Sequence, residues 1–138
     1  MPSREFDNLD AVTRSRLEAF IQDWHWDEDS HEFARQAGLF LFQFIARLEQ
    51  SGLAEQTLRK QISDCELIGY LTCLQGGRRK QFSPAVFADG PAYVADFKRK
   101  VSDSEYMVAS YKRTWRKLTR YVASRGKEAS ARQNQAPS

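Results

Sequence analysis

Residues 33–48 constrain the fold most, because large apolar side chains occupy nearly every side of the helix that this segment predicts. Its apolar residues are Phe33, Ala37, Leu39, Phe40, Leu41, Phe42, Phe44, Ile45 and Leu48. A helix without a polar side has to be covered by other elements all round. We therefore predict a helix that is capped by Ser30, ends near Gln50 before Gly52, and lies in the middle of a bundle.

Further helical segments supply the covering elements. Apolar periodicity predicts them at about residues 8–22, 54–74, 91–100 and 103–124. Pro84 and Pro91 each suit the first position of a short helix. The fold class that we predict is an all-α bundle of about five helices.

Composition agrees with one globular domain. Of 138 residues, 41% are hydrophobic and 28% are charged, which is ordinary globular usage and sufficient for a core. We expect residues 1–125 to form a single helical domain. Residues 126–138 carry no large apolar side chain and are predicted to be a disordered tail.

The sequence also predicts a cytoplasmic protein without membrane contact. No apolar run approaches the ~18 residues of a membrane span, and the first residues do not resemble a signal peptide. Cys65 and Cys73 fall on one predicted helix about 12 Å apart, too far for a disulfide. We expect them to be buried, reduced thiols.

The last predicted helix separates apolar from basic residues. Residues 96–138 carry a net charge of +7 and residues 1–95 a net charge of −4. On a helical wheel, one side of the last helix holds Met107, Val108, Tyr111, Trp115, Leu118 and Val122. The other side holds Lys112, Arg113, Arg116, Lys117 and Arg120. This row spans about 12 Å and is long enough to meet several phosphates of one DNA strand at about 3.4 Å per charge.

Two interpretations of this basic side stay open. It is typical of a solvated helix surface, since cations near a helix C-terminus complement its dipole. It is also typical of a surface that binds DNA or RNA phosphates, to which a loop containing Arg78, Arg79 and Lys80 would contribute. The alternative function is a protein-interaction or scaffolding domain, which would bind an oppositely charged partner or a second copy of itself.

Residues 39–122 resemble the N-terminal SAM-like core-binding domain of tyrosine recombinases and phage integrases. The resemblance lies in the Gly52-Leu53-Ala54-Glu55-Gln56-Thr57 turn after an apolar helix, in Asp64 midway along the next helix, and in the short and then basic helices of 91–122. It implies a DNA-clamp-like module, here without recombinase chemistry, since no catalytic domain follows. It also implies phosphate contacts from Thr57, Arg59 and Lys60, in addition to the five cations of the last helix.

The segment 23–32 contains seven potential metal ligands, including His25, Asp29 and His31. If it is helical, His25 and Asp29 stand four residues apart, a spacing that suits metal ligation. Acidic residues at a helix start are also ordinary capping groups, and we favour that interpretation over a metal site. We find neither a nucleophile motif nor a phosphate loop, so we expect no enzyme activity and no cofactor.

Overall fold

The computed structural model describes residues 28–76 and 81–135, together with Ser15, Arg16, Glu18, Ala19 and Gln22. Within these residues it contains four α-helices, one 3-10 turn at Pro84–Phe87, and no strand. The helices are α1 (Glu28–Gln50), α2 (Glu55–Gly76), α3 (Val94–Lys100) and α4 (Glu105–Gln135). The predicted all-α fold is confirmed. The predicted first helix, at about 8–22, lies largely outside the described residues.

The apolar side chains of helix α1 are buried, but the helix is not covered all round as predicted, because Glu32, Ala46 and Arg47 recur at helical spacing and form an exposed side. All nine apolar residues named above for this segment are buried, and Ala34 is buried with them. Helix α1 packs against α2, and α2 packs in turn against α4. The 3-10 turn and α3 also pack against α4.

Aromatic rings connect α1 to the C-terminal half of the chain. Phe40 of α1 lies 5.8 Å from the ring of Phe87 in the 3-10 turn and 5.5 Å from the ring of Tyr121 in α4. Phe87 in turn meets Trp115 edge-on, with ring centroids 5.8 Å apart. Each such pair adds about 0.5–1.5 kcal/mol beyond the burial of apolar area.

Glycine is required at two positions, one at a turn and one where the backbone contacts an aromatic ring. Gly52 follows the end of α1 with φ +80°, a left-handed conformation that costs glycine nothing. Gly90 lies directly against the indole of Trp115, and a Cβ at this position would overlap that ring. The loop before α3 can therefore approach α4 closely only because residue 90 has no side chain.

Helix boundaries differ from the predicted ones at three places. Helix α1 begins at Glu28, ahead of the predicted cap Ser30, and acidic residues in a first turn favour this because they complement the helix dipole. Pro91 does not open α3, since the helix starts at Val94, after Tyr93 with φ 60°. Pro84 does open its short helix, where the Ser83 hydroxyl accepts a hydrogen bond from the Ala85 N–H.

The third difference concerns the last helix, whose predicted end is near Ser124. In the structure α4 continues to Gln135, through part of the segment predicted to be a disordered tail. Residues 127–135 consist largely of Lys, Glu, Ala, Arg and Gln, which all have high helix propensity. One glycine, Gly126, costs a helix only about 1 kcal/mol relative to alanine.

Both cysteines are buried free thiols in α2, as predicted. Burial raises the pKa of Cys73 from 9.0 to about 12. Burial, with a smaller effect from the Asp64 and Glu66 carboxylates, raises the pKa of Cys65 well above its ordinary value. Because the thiolate is the reactive form, both side chains are protonated and unreactive near neutral pH.

We therefore expect neither cysteine of the native protein to react with a thiol reagent at pH 8 within minutes, and both to react at once in denaturant. Counting the labelled thiols by mass spectrometry checks this. Rapid labelling of Cys65 or Cys73 without denaturant would contradict the burial described above.

Candidate nucleic-acid interface

The basic side of α4 faces away from the core. Tyr111, Trp115 and Leu118 are fully buried on the opposite side, whereas Arg113, Arg116 and Arg120 are exposed. The remaining cations of the row, Lys112 and Lys117, are partly exposed. We call these five residues the basic face of α4.

The basic face forms no ion pair with any carboxylate that the structure describes. The ion pairs found among the described residues lie elsewhere, for example between Arg59 and Glu55 on α2 and between Arg99 and Asp96 on α3. Counting only partners that the structure describes, Lys117 is the one member of the face with a side-chain hydrogen bond, which it donates to the Gln61 carbonyl oxygen at 3.1 Å. The positive charges are thus not neutralised within the described part of the fold.

A shallow groove runs along the basic face between α3 and α4. Lys98 of α3 lines it together with Lys112, Arg113 and Arg116. Two acidic residues line the same groove: Asp103, in the link before α4, and Glu105, the first residue of α4. The groove carries net positive charge, because its four cations outnumber its two carboxylates. The carboxylates lie where the groove passes the first turn of α4.

A smaller polar cleft opens between α2 and α4, and we call it the α2–α4 cleft. Its α2 wall consists of Gln56, Thr57, Lys60 and Gln61, and its α4 wall of Tyr106, Ser110, Arg113 and Thr114. Arg113 lines both this cleft and the groove. The structure therefore brings Thr57 and Lys60, which the family resemblance singled out, next to the basic face.

A buried carboxylate holds the two walls of the cleft together. Asp64 of α2 is fully buried, and its Oδ2 accepts hydrogen bonds from Ser110 Oγ at 2.7 Å and Thr114 Oγ1 at 2.9 Å on α4. Lys60 Nζ lies 3.3 Å from Oδ1, where it forms an ion pair without hydrogen-bond geometry. A buried carboxylate is tolerable only with such partners, so Asp64 sets how α2 and α4 sit against each other.

One predicted site residue of α2 is not part of this surface. Arg59 is exposed on α2, where it pairs with Glu55, and it lines neither the groove nor the cleft. The loop residues Arg78, Arg79 and Lys80 lie outside the described residues.

The metal-site candidates stay untested. His25 and the side chains of Asp29 and His31 also lie outside the described residues. Among the residues that are described, no cluster of His, Cys, Asp and Glu could hold a metal ion. None of the helices in the described ranges has the length and apolarity needed to cross a membrane.

Tyr106 is the residue of this surface that the sequence prediction overlooked. It is 71% exposed, more than any other large hydrophobic side chain among the described residues. At about 100° per residue, Tyr106 falls between Arg113 and Lys117 around the helix axis. The helical wheel of α4 alone therefore places this ring among the cations of the basic face.

Comparison with protein-family models, with curated proteins and with solved structures finds no match to this chain.

Removing the Asp64 carboxylate should destabilise the protein more than removing an exposed acid. For Asp64→Ala we expect the free energy of unfolding to fall by about 1–3 kcal/mol, because two buried hydroxyls lose their acceptor. Asp64→Asn, which keeps one acceptor oxygen, should lose less.

Urea unfolding of these variants and of the control Glu55→Ala measures the difference. Glu55 makes an exposed ion pair with Arg59, and its loss should cost at most about 1 kcal/mol. Equal losses for Asp64→Ala and Glu55→Ala would show that Asp64 does not join the two helices.

Proposed function

We propose that this chain is a non-catalytic helical module that binds DNA or RNA through phosphate groups, with the basic face of α4 as its main binding surface. One observation carries the proposal. Three arginines and two lysines share one side of a helix, and no described carboxylate pairs with them. A row of this kind raises the local concentration of a polyanion through its field alone.

The length and composition of the row suit a phosphate backbone. From Lys112 to Arg120 the helix rises about 12 Å, which corresponds to three or four phosphates of a duplex strand at about 3.4 Å each. The three exposed members are all arginines, whose planar guanidinium can donate two parallel hydrogen bonds to one phosphate. Contacts of this type position a protein on nucleic acid without selecting a sequence.

Residues of α2 extend this surface in our proposal. Thr57 and Lys60 share the α2–α4 cleft with Arg113. Core-binding domains of recombinases, which the sequence resembles, would use the corresponding helix for phosphate contacts. We propose the same role for Thr57 and Lys60, and an auxiliary one for Arg59 and for the loop of Arg78, Arg79 and Lys80. The two buried free thiols favour a reducing, cytoplasmic setting for this activity.

Neutralising two arginines of the basic face should weaken binding to a short duplex and reduce its dependence on salt. For Arg116→Gln with Arg120→Gln, we expect the slope of log affinity against log salt to become shallower by about 2, since each phosphate that the protein no longer neutralises accounts for about 0.9. Fluorescence anisotropy at several salt concentrations gives both affinity and slope. Because both residues are exposed, the midpoint of thermal unfolding should stay unchanged.

A control variant separates the position of the charge from its amount. Ala46→Glu with Gln50→Glu changes the net charge by the same −2 at exposed positions of α1. This control should keep the parent's salt slope. Equal effects of the two double variants would contradict a role for α4. A chain that binds no nucleic acid but self-associates in sedimentation would instead support the protein-interaction alternative.

A further inference from the structure

The α2–α4 cleft combines an exposed aromatic ring with cations and amides. Tyr106 lies in its α4 wall, and no other aromatic ring among the described residues is mostly exposed. A tyrosine exposed to this extent gains little stability from burial. Base-sized rings stack on such side chains in proteins that bind single-stranded nucleic acid.

The polar groups of the cleft complement a nucleotide rather than a simple ion. Arg113 has no described acidic partner, and the Lys60 ammonium is held in place by Asp64. The Asp64 carboxylate cancels one of these two positive charges, so the cleft offers one net positive charge to a phosphate. One net positive charge suits a single phosphodiester. The other polar groups of the cleft are then available to a different part of a nucleotide, such as its base.

Gln61 supplies a side-chain amide that can form hydrogen bonds with a base. It is only 5% exposed, yet its side chain lines the cleft. Its carbonyl oxygen accepts the hydrogen bond from Lys117, and no described group accepts from its amide nitrogen. Two N–H donors at a fixed position can bond to the carbonyl oxygen or ring nitrogen of a base.

We propose that the α2–α4 cleft binds one unpaired nucleotide, with its base stacked on Tyr106 and its phosphate between Lys60 and Arg113. This inference rests on the proposed function, since the neighbouring phosphates of the strand would continue along the basic face through Arg113. A cleft of about 160 Å³ has room for one base and not for a duplex. The chain should therefore bind single strands more tightly than duplexes of equal length.

The test measures affinity for a single-stranded thymidine oligonucleotide and for a duplex of the same length by fluorescence anisotropy. Tyr106→Ala should weaken single-strand binding by roughly 5- to 150-fold, the usual effect of removing one stacking ring. Tyr106→Phe keeps the ring and should retain the parent's affinity. Duplex affinity should change less than about twofold in both variants, because the phosphate contacts remain.

Two controls isolate the stacking interaction. Val101→Ala truncates the other large hydrophobic side chain that is exposed in the described part of the chain, and it should leave single-strand affinity unchanged. A strand with the same number of phosphates but without bases should not distinguish Tyr106→Ala from the parent. Circular dichroism of each variant verifies that the helical content is preserved.

The possible outcomes separate this inference from the proposed function. If the parent binds neither single strands nor duplex, the proposed function itself fails. If the parent binds nucleic acid and Tyr106→Ala has no effect, or lowers single-strand and duplex affinity equally, the cleft does not hold a base and only the basic face remains.

Discussion

The rest of the structure depends on which side of α4 faces the core. Burial of Trp115 turns one side of the helix inward, and hydrogen bonds to three other parts of the chain hold that orientation. Tyr111 donates to the Ala92 carbonyl, Thr119 to the Phe87 carbonyl, and Ser110 and Thr114 to Asp64. With 3.6 residues per turn, a helix held in this way has to present its other side to solvent. The exposure of the basic face is therefore a consequence of core packing.

Helix α2 gives the surface its second component. Its apolar residues pack on α1, while Asp64 bonds to α4 at the point where the two helices meet. A carboxylate there costs desolvation, which its hydroxyl and ammonium partners offset. The same carboxylate holds Lys60 beside Arg113, so one buried charge both joins the helices and shapes the cleft above it.

Most of the fold could be predicted from the sequence because its helices are strongly patterned. The apolar residues of α1 and the two-sided pattern of α4 identify the side chains that face the core. The exposed side of α1 was not predicted, because its few polar residues stand among large apolar ones along the sequence. Pro91 was misplaced because nothing local distinguishes a helix start from a loop packed on Trp115. The α2–α4 cleft could not be predicted either, since Lys60 and Arg113 are neighbours only through tertiary packing. The resemblance to core-binding domains pointed to Thr57 and Lys60 but not to Tyr106.

Binding of nucleic acid by the basic face can be observed at the arginine side chains themselves. NMR signals of the Nε–H groups can be followed while a short oligonucleotide is added to the isotope-labelled protein. The signals of Arg113, Arg116 and Arg120 should shift progressively, while that of Arg35, which is paired with Glu32 on α1, stays in place. Shifts confined to Arg35, or unchanged signals from all three α4 arginines at saturating oligonucleotide, would show that the basic face does not bind nucleic acid.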